Sequence, residues 1–168
     1  PAGELGRIGL GLSRSHPEIV YAMVEAGKSA LLRSDDGGRR FKSVNSEPNV
    51  NPRPFYFGEL RVDPQDPNRV FSLDYTVRLW GLAAREPLRE LNEHFASANA
   101  ARFLPGGNAA VSASDDKTLI VWNLDSGDAV RQLKGHEGNV ASVAVAPDGK
   151  TAASAGWDRT IRLWRLVD

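Results

Sequence analysis

The chain has 168 residues, enough for one domain with a full core or for part of a repeat array, and nothing in that length requires two domains. Its 21 basic and 21 acidic residues cancel, leaving no global field to gather nucleic acid or an anionic membrane, so neither is an expected partner. Without cysteine there is no disulfide framework and no thiolate metal site, a composition that suits a reducing compartment or an engineered chain.

Short antiparallel strands separated by turn residues run the length of the sequence. The first four are expected near residues 7–12, 19–24, 29–33 and 40–44, with the Gly-rich "RSDDGGRR" between the third and fourth. The Asn- and Pro-rich "NSEPNVNPRPFYF" reads as a linker, its Phe55, Tyr56 and Phe57 packing into the core as the next strand begins. "FGELRV", "RVFSL", "YTVRLW" and "PLRELN" make a second set of four. In the unit around Trp122, strands a to d are expected near 98–104, 109–114, 118–124 and 128–133, with "PGGN" as a tight turn. The last unit, "ASVAVAP", "TAASAG" and "TIRLW", ends at Asp168 without a strand d.

Two internal periods organise these strands. In the second half Trp80, Trp122 and Trp164 fall at equal steps of 42, and so do Thr76, Thr118 and Thr160. The same step relates Asp74, Asp116 and Asp158, His94 and His136, Ser112 and Ser154, and Pro105 and Pro147. In the first half "LGLSRSHPEIVY" repeats as "LRVDPQDPNRVF" at a step of 50, pairing Leu10 with Leu60, Leu12 with Val62, Pro17 with Pro67, Val20 with Val70 and Tyr21 with Phe71. One four-stranded sheet cannot bury both its faces, so the units must stack. A period near 40 with a Trp closing strand c points to radial stacking, an all-β propeller of four-stranded antiparallel blades, about four per chain.

"EHFASANAARFLPGGNAAVSASDDKTLIVW" and "GHEGNVASVAVAPDGKTAASAGWDRTIRLW" resemble the WD-repeat family of β-propellers, over about residues 74–168. The resemblance implies a buried side-chain network in each repeat, from the strand c Trp through a strand b Ser to the His before strand a and the Asp of the b–c turn. Two complete sets match: Trp122, Ser112, His94 and Asp116, then Trp164, Ser154, His136 and Asp158. The residue types suit such a chain, because an indole can only donate and the imidazole can accept on one nitrogen and donate from the other. A Ser-His-Asp nucleophile is the competing reading. It calls for an exposed, strained serine turn beside an oxyanion hole, whereas both serines fall mid-strand and the set occurs twice.

"RSDDGGRRF" resembles the Asp-box of neuraminidase-type repeats, with Ser34, Asp36, Gly38 and Phe41 at the matching places and Arg40 where that motif has Thr. The resemblance covers about residues 1–73 and implies a hairpin turn in which a carboxylate caps backbone N–H groups and an aromatic residue anchors the turn. Glycosidase chemistry would need paired carboxylates across a cleft, or the arginine cluster and Tyr nucleophile of sialidase-like enzymes. Glu25, Glu59, Tyr21 and Tyr56 are the available groups, and nothing in the sequence brings them together. "RSDDGGRR" has no GK[ST] and is no phosphate loop. His16 reads as a solvated turn residue, no metal or other cofactor is expected, and no catalytic residue is assigned.

These readings place a seam between Leu73 and Asp74, with blade 1 and half of blade 2 on the Asp-box side and the rest on the WD side. Blade 2 is then expected to lack a complete network: Trp80 and Asp74 are present, Ser72 stands two places from position 70, and Pro52 occupies the His position. Recombination of fragments from two propeller families accounts for such a seam, giving an engineered hybrid scaffold without catalytic activity. A natural WD-type protein-interaction scaffold and a glycan-binding or glycan-cleaving remnant are the alternatives. A homo-oligomer is expected, a dimer completing eight blades, with a closed four-bladed monomer as the alternative. There is no apolar run of about 18 residues and "PAGELGRIGL" is no secretory signal. The expectation is a soluble chain, cytoplasmic if made recombinantly, and either trimmed or a fragment at its Met-less start.

Overall fold

The computed structural model describes residues 6, 8–25, 29–46, 59–73, 76–81 and 87–166. Its elements are all strands, and they form four antiparallel sheets, the architecture of a β-propeller of about four blades. The first sheet joins β1 (Ile8–Leu12), β2 (Val20–Val24), β3 (Ala30–Ser34) and β4 (Lys42–Asn45) in chain order. The second joins β5 (Leu60–Val62), β6 (Arg69–Leu73), β7 (Val77–Gly81) and β8 (Arg89–Leu91). The third contains β9 (Ala98–Phe103), β10 (Ala109–Ser114), β11 (Thr118–Asn123) and β12 (Ala129–Lys134). The fourth has three strands among the described residues, β13 (Val140–Val145), β14 (Thr151–Gly156) and β15 (Ile161–Arg165). Phe55, Tyr56 and Phe57, like Pro52 and Asp74, lie outside the described residues.

Contacts divide the chain into two units, Pro1–Asp74 with Leu79–Leu88, and Tyr75–Arg78 with Arg89–Asp168. Each has its own apolar core. In the first, Ile19, Tyr21, Met23, Leu31, Leu60, Val70 and Trp80 pack together. Gly11 lets the inner strands β1 and β5 approach, because a Cβ there would sit 3.2 Å from the Leu60 side chain. In the second, Ala100, Val111, Ala113, Leu119 and Val121 pack on Val140, Val143 and Ala152 of the following sheet. The central strands β2 and β10 are buried along nearly their whole length, which is why they read as continuous apolar or small-residue runs rather than as alternating ones.

Turn chemistry fixes where the strands end. Gly107 and Gly149, the glycines of "PGGN" and "PDGK", take φ of 75° and 70°; these left-handed values cost glycine little. Lys117 and Arg159 take φ of 71° and 64° at equivalent places in the b–c turns, so these two turns carry strain at the same point of the repeat. Gly138 matters for space rather than φ: an added Cβ would lie 2.7 Å from the Asp158 backbone nitrogen and 3.0 Å from the Trp157 carbonyl carbon.

Gly138→Ala is therefore expected to lower unfolding stability by about 1–3 kcal/mol, the cost of overpacking against backbone that cannot move aside. Gly106→Ala, with open space around it, should stay within about 0.5 kcal/mol. Urea denaturation of the two variants checks the contrast.

Candidate functional site

The second unit contains two copies of one buried polar chain, each assembled from a loop, a central strand, a turn and the strand after it. In the first copy the Trp122 indole Nε1 donates to Ser112 Oγ at 2.7 Å. Ser112 Oγ is 2.7 Å from His94 Nε2, and His94 Nδ1 is 2.8 Å from Asp116 Oδ2. In the second, Trp164 Nε1 donates to Ser154 Oγ at 2.8 Å, and His136 joins Ser154 Oγ and Asp158 Oδ2 at 2.7 Å each. The indole can only donate, so the serine oxygen accepts from it and keeps a hydrogen that His Nε2 can take, which leaves Nδ1–H for the carboxylate. All four side chains in each copy are brought together.

The carboxylates are also caps for their turns. Asp116 accepts the Thr118 N–H and hydroxyl on Oδ1, at 2.9 and 2.7 Å, and the Phe95 N–H on Oδ2 at 3.1 Å. Asp158 repeats this with Thr160 at 3.0 and 2.8 Å and the Glu137 N–H at 2.9 Å. For both, burial pushes the carboxyl upward and the hydrogen bonds outweigh it, so each is held below 3.8. At Asp116 those donors are Thr118 and His94; at Asp158 they are Glu137, Thr160 and His136. Burial holds the His94 imidazole below 6.5, against the upward pull of Asp116.

Blade 2 keeps one link of this chain. The Trp80 indole donates to Ser72 Oγ at 2.8 Å, and both side chains are buried. Counting by the 42-residue step set Ser72 two places out of register. The hairpin itself is two residues shorter, since β6 ends one residue beyond Ser72 where β10 runs two beyond Ser112, and Trp80 is the fourth residue of β7 where Trp122 is the fifth of β11. The shortening on the two sides compensates, so the donor and its acceptor still meet. Asp74 and Pro52, the remaining positions of that network, lie outside the described residues. At the proposed seam Leu73 is buried, and its N–H donates to Glu59 O at 3.2 Å.

In the first unit the turn after β3 is built around Ser34 and Asp36. Ser34 Oγ donates to Asp36 Oδ1 at 2.7 Å and accepts the Gly38 N–H at 2.9 Å, while Asp36 Oδ1 accepts the N–H groups of Arg39 and Arg40 at 3.0 and 2.9 Å. The Arg40 N–H and the Ser34 hydroxyl are the main causes that lower the Asp36 carboxyl. Gly37 and Gly38 take φ of 72° and 89°. Phe41 is 40% exposed, and its ring edge lies 4.0 Å from where a Cβ on Gly38 would sit.

Two of the candidate glycosidase groups, Tyr21 and Glu59, have other occupations. Tyr21 is buried, its hydroxyl donates to Pro67 O at 2.7 Å and accepts from Arg33 Nη1 at 3.1 Å, and burial raises its pKa above 10.0. Glu59 pairs with Arg61, and Tyr56 lies outside the described residues. His16 is exposed and bonds within its own turn, to Ser15 Oγ at 3.2 Å. Among the described residues no group of three or more His, Asp or Glu is placed to hold a metal ion.

One buried acid escaped the sequence reading. Asp63, fully buried, caps the turn before β6 by accepting the Gln65 and Asp66 N–H groups at 2.7 and 3.3 Å, and it faces Arg69 at 3.4 Å. Burial raises its carboxyl above 3.8 against the pull of those donors and of Arg69. The signal was available at the 50-residue step: Ser13 caps the equivalent turn, its Oγ accepting the His16 N–H at 3.1 Å.

A family model for the WD domain, G-beta repeat, matches residues 85–123 and 127–165. No curated protein matches the chain.

Ser112→Ala strands the Trp122 N–H and His94 Nε2 together and should cost about 2–6 kcal/mol, at about 1–3 kcal/mol for each buried group left without a partner. Urea unfolding is the measurement, and a change below 1 kcal/mol would contradict the assignment. Acid should act through the same chain. Below pH 6.5 the unfolded state takes up a proton at His94 that the folded state resists, so stability is full above that pH and falls beneath it. The lowered carboxyls of Asp116 and Asp158 add a second loss below pH 3.8. A urea midpoint that rises between pH 7 and pH 5 would contradict this sign.

Proposed function

We propose that the chain is a WD-type protein-interaction scaffold without catalytic activity. The observation that carries this reading is a pair of exposed aromatic side chains, Phe95 at 92% and Trp157 at 75% exposure. Phe95 follows the network histidine in the loop before β9, and Trp157 lies in the turn after β14. Both loops are at the end of their sheets where β9 and β13 begin. The Phe95 N–H is pinned to Asp116, and the Trp157 N–H to Asn139 O at 2.8 Å. At the 42-residue step their equivalents are Glu137 and Asp115, so the repeat itself does not call for an aromatic at either place. Large aromatics on pre-ordered loops are the side chains that most often anchor protein interfaces.

The polar chains support the same conclusion from the other side. Ser112 is fully buried and Ser154 nearly so, each hydroxyl oxygen already accepts an indole N–H, and no substrate carbonyl can approach them. The WD-repeat match over 85–123 and 127–165 favours a scaffold as well. A hybrid origin, with fragments of two propeller families joined at Leu73 and Asp74, is the second reading. The serine- and aspartate-capped turn at Ser34 and Asp36 and the separate 50-residue period of the first half speak for it. The glycan reading is weaker, because the Tyr21 hydroxyl is already committed to Pro67 and Arg33.

Panning a displayed random-peptide library against the purified chain tests the scaffold. Enriched peptides should lose at least tenfold in affinity, about 1.4 kcal/mol, on Phe95→Ser or Trp157→Ser, while each variant's stability stays within about 0.5 kcal/mol. Peptides indifferent to both changes, or binding only on a glycan array, would overturn it.

A further inference from the structure

Phe95 and Trp157 hold different places in their repeats, and in each repeat the other of those two places is held by an acid. The loop before β9 and the turn after β10 present Phe95 with Asp115; the loop before β13 and the turn after β14 present Glu137 with Trp157. The backbone keeps the two places adjacent in both repeats. The Asp115 N–H donates to Ser97 O at 3.0 Å, and at the equivalent position the Trp157 N–H donates to Asn139 O at 2.8 Å. The Phe95 and Glu137 N–H groups donate to Asp116 and Asp158, the residues after Asp115 and Trp157, at 3.1 and 2.9 Å. Asn99 ties the two repeats together here, its Nδ2 donating to Asp115 Oδ1 at 2.6 Å and to Val140 O at 3.0 Å. Each sheet thus ends in one aromatic and one acidic residue at neighbouring positions, with their order exchanged.

This end of the two sheets is acidic, although the charges of the whole chain cancel at 21 of each sign. Its loops and turns, residues 92–97, 115–117, 135–139 and 157–160, hold five acids, Glu93, Asp115, Asp116, Glu137 and Asp158. The same segments hold two bases, Lys117 and Arg159, and of the strand residues bordering them only Lys134 is charged. Five acids against three bases leave an excess of two negative charges. Asp116 and Asp158 contribute to it at neutral pH, since hydrogen bonds hold their carboxyls below 3.8. At the opposite end of these sheets the turns at 104–108, 124–128 and 146–150 hold no aromatic residue.

An exposed aromatic ring with a carboxylate at the next position suits a cation carried on an apolar stem. Lysine and arginine side chains lay their methylenes on such a ring and bring the charged head to its face and to the carboxylate. An acidic segment would meet the excess negative charge, and an apolar one would desolvate the carboxylates without pairing them. Resting on the interaction-scaffold reading, we infer that the partner is a basic peptide segment, with one lysine or arginine seated at Phe95 and Asp115 and another at Trp157 and Glu137.

Fluorescence anisotropy with labelled Gly-Ser peptides is the test, one set carrying paired arginines or paired lysines at varied spacing, and control sets carrying glutamates or leucines at the same places. The basic peptides should bind the intact chain saturably, and more weakly as salt is raised. They should shift the Trp157 indole N–H in a proton–nitrogen correlation spectrum, assigned by its loss in Trp157→Ser, while the signal of the buried Trp122 stays in place. Asp115→Asn and Glu137→Gln should each weaken binding about threefold, the size of one exposed charge contact, with circular dichroism unchanged. Leucine or glutamate peptides that bind as tightly as the basic ones overturn the proposal. So does binding that neither neutral variant weakens, binding that leaves the Trp157 signal unmoved, or no binding by any set. The scaffold reading fails separately: library-selected peptides that depend on Phe95 or Trp157 yet carry no lysine or arginine leave it standing and overturn the basic partner.

Discussion

An indole N–H buried between sheets has to find an acceptor, and in this chain a serine on the neighbouring strand meets that demand three times, at Trp80, Trp122 and Trp164. The large ring fills space beside the central strand, and its single donor then dictates what stands opposite. A serine that accepts from the indole has one hydrogen left to give, an imidazole nitrogen takes it, and the imidazole's remaining N–H calls for a carboxylate. The carboxylate in turn caps the b–c turn and the start of the loop before strand a. Strand pairing, turn shape and the loop leading into the next blade are thereby tied to one donor. A missing member would leave a buried polar group unpaired, at a cost comparable to a sizeable part of a domain's net stability.

The blade-like strands and the two periods were legible because both rest on residue types that only one geometry suits. Alternation, tight-turn glycines and a Trp at a fixed step leave little freedom, and strands β6 and β10 fall where their sequence places them. What the sequence hid was length compensation. Ser72 looked misplaced because a repeat step counts residues along the chain, whereas the hydrogen bond depends on distance across a hairpin, and a hairpin shortened equally on both sides preserves it. Asp63 was hidden for a related reason: its equivalent in the first repeat is Ser13, a different side chain doing the same capping, so identity matching passes over it.

The two units reach similar turns through different chemistry. Around Asp36 the carboxylate accepts two consecutive N–H groups and a serine hydroxyl from its own turn, with two glycines at positive φ. Around Asp116 and Asp158 the carboxylate accepts from a threonine two residues on and from a loop about twenty residues earlier in the chain, and the positive φ falls on Lys117 and Arg159. The first kind of turn is closed by local contacts alone. The second is held partly by tertiary contacts, through the histidine, which is how a non-glycine residue is kept in a left-handed conformation there.

A repeat constrains function by subtraction. Ser112, Ser154, His94, His136, Asp116 and Asp158 have the composition of catalytic residues, yet every polar atom that a reaction would need is already engaged within the repeat. Chemistry available to a partner has to come from positions the repeat does not prescribe, and these are the places where one copy differs from the next at the surface. Phe95 against Glu137, and Trp157 against Asp115, are two such differences, both in loops whose backbones the network fixes. The division of labour follows from energetics: the buried polar chain gains nothing by being accessible, and an exposed aromatic side chain contributes little to the fold, so each is free to serve the role the other cannot.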